Sequence, residues 1–204
     1  MNSYANKKPV AFVVVKVSSS KIHNILKKRI LQKDRIRVNF GDIVIHAIVS
    51  GLKKFPEFNS NFVKKIEIFD YINVGYFINV GKGSRIAVIE NAGKKNLFEI
   101  SSQIKRSAID YIHDKLKNDA YKSTIFVTNL SPFNCYMAAA PLFEYNSAVI
   151  SISSEHESWK NFNGKPIPVK MFNISLSFDA RVADCQRALQ FLNTVKSILE
   201  EKNN

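Results

Sequence analysis

Between residues 172 and 199 the hydrophobic pattern changes period. Phe172, Ile174, Leu176 and Phe178 alternate along a strand over Val169–Phe178, and Ala188, Leu189, Leu192, Val195 and Leu199 then recur every three or four residues. A period of two marks a strand, and a period near 3.6 marks a helix with one apolar stripe. The joint between them is short and polar, so the helix over Cys185–Glu201 must fold back onto the sheet that holds the strand. That requirement selects layered α/β architectures.

The rest of the chain agrees. Val10–Val17 is β-branched and reads as a strand. Ser18–Ser20 supplies helix-capping hydroxyls, and Ile22, Ile25, Leu26 and Ile30 follow at helical spacing. A second helix is expected over Gly41–Phe55, stopped by Pro56, and a third over Leu97–Leu116 with Ile100, Ile104, Ala108, Ile109 and Ile112 on one face. Ile66–Phe69, Val74–Val80, Ile86–Ile89, Ile125–Val127 and Val149–Ile152 read as strands, and Gly81–Ser84 as a turn. Strands and helices mix without strict alternation, which predicts one α/β domain over residues 1–204 with a mixed sheet and a loose start over residues 1–8.

Composition narrows the function classes. The net charge is +13 and the sequence pI near 9.7. The lysines are spread along the chain, with no arginine-rich tail, zinc-finger spacing or aromatic RNA-binding run, so nucleic acid is not the expected partner. No apolar run is long enough for a bilayer and no cleavable leader is visible, which points to the cytoplasm and away from membranes. Cys135 and Cys185 have no neighbours at metal-ligand spacing, so no metal is expected. His23, His46 and His113 fall on helices and read as structural, and His156 falls in a polar run, Ser153–Ser158, read as an exposed loop.

Four blocks carry a resemblance. ISLSFDARVADCQRALQFL at 174–192 resembles the C-terminal signature of dihydrolipoyl acyltransferase cores, in which a strand runs into Ser-Phe-Asp-His-Arg-Val, then Asp-Gly, then a helix. VNFGDIVIHAIVSGLKKFPEFNSNF at 38–62 resembles that family's second helix and its Phe-Pro-x-x-Asn element. NVGYFINVGKGSRIAVIENAGKKNLFEI at 73–100 resembles its hairpin, and STIFVTNLSPF at 123–133 its Thr-Phe-Thr-Ile-Ser-Asn-Leu-Gly segment. The order and separations fit, so the chain resembles the catalytic domain of the dihydrolipoyl acyltransferase and chloramphenicol acetyltransferase superfamily. The resemblance implies a two-layer sandwich of a mixed sheet with helices packed on it.

In that family a histidine takes the proton of a thiol attacking a thioester. A Ser or Thr hydroxyl of the neighbouring subunit donates to the oxyanion. Carried over, the histidine place is Ala180, the aspartate four residues on is Asp184, the glycine after it is Cys185, and the oxyanion donor is Thr128. Asp179 and Arg181 match the flanking pair. The expected site therefore keeps its scaffold and lacks its base. Two departures side by side, Ala180 and Cys185, read as natural drift of a relieved site and not as one directed change.

Alanine accepts no proton, and losing a positioned base costs on the order of 10² to 10⁴ in rate. A thiol is already a few per cent ionised at neutral pH, so slow transfer to dihydrolipoamide or coenzyme A survives this loss, while transfer to an alcohol does not. Each residue also has a plainer reading: Asp184 as a helix N-cap, Thr128 as a strand-end threonine, Cys185 as a small buried filler.

The resemblance implies a trimer. No lipoyl or peripheral-subunit-binding segment is visible, and the charged close Glu200–Asn204 is unlike the apolar tail of cage-forming members, so a trimer and not a large cage is expected. Three functions follow: a non-catalytic structural or regulatory subunit, in a homotrimer or a mixed trimer with a histidine-bearing paralogue; an active CoA-dependent acyltransferase with an altered or substrate-assisted base; or an acyl-CoA or pantetheine-binding module. No covalently bound cofactor is expected, and coenzyme A or acyl-CoA is the expected substrate or ligand.

Overall fold

The computed structural model describes residues 8–31 and 37–201. Its strands are β1 (Val10–Ser18), β2 (Ser60–Phe62), β3 (Ile66–Ile68), β4 (Val74–Asn79), β5 (Ser84–Ile89), β6 (Ile125–Asn129), β7 (Ala148–Ile152), β8 (His156–Phe162) and β9 (Lys165–Asp179). Its helices are α1 (Ser20–Leu31), α2 (Phe40–Leu52), α3 (Leu97–Ile112) and α4 (Cys185–Glu200). The main sheet runs β1-β9-β7-β6-β4-β5, with β8 pairing the first half of β9. β4–β6 and β6–β7 are parallel and the other pairs antiparallel, so the expected mixed sheet with helices is observed.

The two faces of the sheet differ. Phe172, Ile174, Leu176 and Phe178 of β9 join Val127, Ile150 and the inner sides of α2 and α4 in one hydrophobic core. Asn173, Ser175 and Ser177 alternate with them on the opposite face and are also buried. Segment 134–146 covers part of that face: Phe143 stacks on Phe126 of β6 at 4.0 Å, and the Asn173 amide donates to the Tyr136 carbonyl at 2.9 Å.

Several expectations need correction. α2 ends at Leu52, not Phe55. The Phe55 N–H bonds to the Leu52 carbonyl at 3.2 Å, and Pro56 opens a short 3-10 turn that seats Phe58 beneath α4. α3 ends at Ile112 because Asp114 takes a left-handed φ of 57°. Ile109 and Ile112 face outward, while Tyr111 turns in and its hydroxyl donates to the Lys82 and Gly83 carbonyls. On α4, Leu189 is exposed and Phe191 is the buried aromatic, stacked on Phe58 at 5.1 Å.

The polar run at His156 is not a loop. It begins β8, a hairpin partner of β9, turning at Asn163 (φ 51°) and Gly164 (φ 79°). Ile30 and Leu31 side chains, residues 1–7 of the expected loose start, and Lys202–Asn204 of the charged close lie outside the described residues. Lys8 is not loose: its ammonium donates to the carbonyls of Phe143, Glu144 and Asn146 at 2.7–2.8 Å. Among the described residues no helix is long and apolar enough to cross a membrane.

Candidate active site

The junction between β9 and α4 is built around one buried carboxylate. Asp179 closes β9, and its N–H bonds to the Ser147 carbonyl at 2.9 Å. The Val182 N–H returns to the Asp179 carbonyl at 3.0 Å, a tight turn with Ala180 and Arg181 at its centre. The Arg181 side chain folds back: Nε donates to Asp179 Oδ1 at 2.8 Å and Nη2 to Oδ2 at 2.5 Å. Its guanidinium also lies over the Phe62 ring at 4.3 Å. Burial alone raises the Asp179 pKa, but the Arg181 hydrogen bonds and charge, with Lys8 behind them, outweigh it and hold the carboxyl below its ordinary value.

Ala180 sits on the solvent side of this turn. Its N–H donates to the Pro9 carbonyl at 2.8 Å, so the start of β1 holds the turn from one side. Asp184 is the N-cap of α4: its Oδ1 accepts the Arg187 N–H at 2.7 Å. Cys185 opens α4 and is exposed, which overturns its reading as a buried filler. Arg187 pairs with Glu57 and covers the Phe55 ring at 4.3 Å, tying α4 to the Pro56–Phe58 turn. Asn59, the asparagine of the Phe-Pro-x-x-Asn element, accepts from Thr124 Oγ1 at 2.5 Å and donates to the carbonyls of Phe69 and Tyr71.

Thr128 is half-buried near the end of β6. It pairs with Ser151 of β7, which pairs with Ser175 of β9. The row Thr128–Ser151–Ser175 therefore lies on the serine face. Ala180 is five residues beyond Ser175, roughly 17 Å along β9 and two strand spacings, roughly 10 Å, from Thr128's strand. One chain thus brings Asp179, Ala180, Arg181, Asp184 and Cys185 together and leaves Thr128 at the other end of the sheet.

The Thr128 end holds a feature that sequence reading missed. A cavity of about 370 Å³ is lined by Phe40, Ser131, Asn134, Ser154 and Glu155. His23 of α1, read from sequence as structural, meets Glu155 with Nε2–Oε1 at 2.6 Å. The two residues lie 132 positions apart, and no local pattern could pair them. His46 is half-buried in α2, where burial first and Lys53 second push its pKa down. The His156 ring packs on Tyr136 at 4.9 Å.

The whole chain, residues 1–204, matches the family described as 2-oxoacid dehydrogenases acyltransferase (catalytic domain), and it belongs to that family. It is 29% identical over 174 residues to the dihydrolipoyllysine-residue succinyltransferase component of the 2-oxoglutarate dehydrogenase complex of Buchnera aphidicola subsp. Schizaphis graminum, covering 84% of this chain and 44% of that protein. The chain spans less than half the length of the curated relatives it matches.

Among solved structures, a probable dihydrolipoamide acetyltransferase from Listeria monocytogenes superposes with a TM-score of 0.89 at 23% identity, covering 97% of this chain and 88% of that one. The Azotobacter vinelandii dihydrolipoamide acetyltransferase, studied for a serine, a histidine and an asparagine in its catalytic mechanism, gives 0.86 at 19% identity, with coverages of 96% and 83%. A chloramphenicol acetyltransferase gives 0.65 at 11%, with 95% and 89% covered. These likenesses establish the expected sandwich fold.

Proposed function

We propose that this chain is a non-catalytic, cytoplasmic subunit of an acyltransferase assembly, working in a trimer as one half of a shared site. Position 180 then brings a methyl group where relatives bring a base, and Thr128 offers its hydroxyl to a histidine-bearing paralogue in a mixed trimer. The observation that carries this reading is the separation of Thr128 from Ala180, five residues along β9 and two strands across the sheet. Each end of the sheet needs a neighbour to complete a site. The serine, histidine and asparagine of the Azotobacter vinelandii enzyme are spaced 52 and then 4 positions apart, the same intervals that separate Thr128, Ala180 and Asp184. The other side chains at the turn are already engaged, Arg181 with Asp179 and Asp184 with α4, and neither replaces the base.

Native mass spectrometry of the complex from its own cells tests this. A trimer mixing this chain with a histidine-bearing paralogue supports it, and a pure homotrimer with rapid acyl transfer overturns it. A second reading, an acyltransferase acting on acyl-CoA with a base in a new place, is favoured by one observation, the His23–Glu155 pair at the cavity that Glu155 lines with Ser131 and Ser154.

A further inference from the structure

We propose that residues 137–142 form a strap that opens locally and uncovers the hydroxyl row Thr128–Ser151–Ser175 on the serine face of the sheet. The inference goes beyond the readings above and depends on neither. The strap has two anchors. At its entry the Cys135 N–H donates to Ser154 Oγ at 2.8 Å, the Ser154 N–H returns to the Cys135 carbonyl at 2.7 Å, and the Asn173 amide holds the Tyr136 carbonyl. At its exit Phe143 stacks on Phe126, and the Lys8 ammonium binds the carbonyls of Phe143, Glu144 and Asn146.

The strand register fixes where the chain between the anchors runs. Asn173 lies two residues before Ser175 on β9, and Phe126 lies in the row of Val149 and Ser177, two residues beyond it. The line from Asn173 to Phe126 therefore passes over Ser151, the centre of the row between them. Strand rise and two strand spacings make that line roughly 17 Å, and the chain from Tyr136 to Phe143 reaches at most about 25 Å.

The closed strap covers polar groups that have no answer. Ser175 is 2% exposed, and its hydroxyl makes no hydrogen bond among the described residues. The same holds for both ring nitrogens of His156 against Tyr136 at the entry, and for the Asn146 amide and Ser147 hydroxyl at the exit. Burying such groups costs free energy that contact with water recovers. Little in the strap opposes opening. Residues 138–142 are Ala-Ala-Ala-Pro-Leu, and they make no hydrogen bond among the described residues. A segment held only at its ends opens at a lower free energy than the domain unfolds.

The test labels thiols of the full chain with N-ethylmaleimide under native conditions and follows each site by peptide mass spectrometry, each rate divided by that of the same site in urea. Ser175→Cys places a thiol beneath the strap. Val127→Cys, fully buried on the opposite face, reports unfolding of the whole domain, and the exposed natural Cys185 sets the rate of an open site. Ser175→Cys is expected to react on the order of 10-fold or more faster than Val127→Cys, and more slowly than Cys185. Lys8→Met removes the exit anchor and is expected to raise the Ser175→Cys rate, relative to Val127→Cys, on the order of 5-fold. Equal rates at Ser175→Cys and Val127→Cys overturn the proposal, because the row is then reached only by unfolding. A Ser175→Cys rate matching Cys185 overturns it too, because nothing then covers the row, and so does a ratio that Lys8→Met leaves unmoved. Ser151→Cys, under the same strap, is the probe for the same comparisons should Ser175→Cys not fold.

Discussion

Asp179 and Arg181 grip each other across the residue between them. The carboxylate is fully buried at the end of β9, and the guanidinium reaches it through two hydrogen bonds of 2.8 and 2.5 Å while its outer face covers Phe62. Ala180 is therefore held in place by its neighbours and by Pro9, whatever its own side chain does.

The pair makes stability depend on pH. The folded Asp179 pKa lies below the ordinary 3.8, so the carboxylate's contribution is present above that value and is lost as pH falls through the lower folded value. Asp179→Asn keeps the volume but loses charge-assisted bonds, at a cost of about 1.5–3 kcal/mol near neutrality. Urea denaturation is expected to show this gap at pH 7 and a smaller one below pH 3.8.

Asp184 caps α4 through the Arg187 N–H. Asp184→Ala is expected to cost about 1 kcal/mol, and Asp184→Asn much less, because asparagine caps comparably. Thermal melting of the two variants checks the order.

Gly75 lies where β4 meets β6 and segment 122–124. A Cβ there would strike the Ser123 hydroxyl and come within 2.6 Å of the Phe126 ring. Gly75→Ala is expected to destabilise by about 1–3 kcal/mol through overpacking. The same denaturation experiment measures it, and Gly93→Ala, whose Cβ would stay 3.4 Å or more from its neighbours, is the milder comparison.

Ala180→His should fold, because the site is exposed and its backbone is fixed by others. In a homotrimer it is expected to raise thiol acyl transfer on the order of 10² or more. An acetyl-CoA and dihydrolipoamide assay measures this, and an unchanged rate would contradict the base-loss reading.

Much of the fold was legible where burial is one-sided. β1 and α4 show clean periods because one face of each meets the core, and β9 because Asn173, Ser175 and Ser177 alternate with its apolar residues although both of its faces are buried. The β8–β9 hairpin was not, because its outer part projects from the body and leaves Trp159, Phe162 and Ile167 exposed, so no alternation appears. The Asn163-Gly164 dipeptide was the available signal. At the site, the turn around Ala180 was readable through the resemblance of the 174–192 block, and its Asp179–Arg181 and Asp184–Arg187 contacts are local, whereas the bonds to Pro9 and Ser147 are not. The His23–Glu155 pair was not, because only the closed sheet brings α1 to the connection between β7 and β8.

The pairing of β1 with β9 also sets a timetable. Val10 meets Asp179 and Ser18 meets Met171, so the first strand has no partner until nearly the whole domain has left the ribosome. At ordinary synthesis rates that is a wait on the order of ten seconds. Through that interval the apolar segment Val10–Val15 is an unpaired edge, open to pairing with other nascent chains. The yield of native protein in a cell should therefore depend on chaperone capacity and elongation speed more steeply than its final stability would suggest.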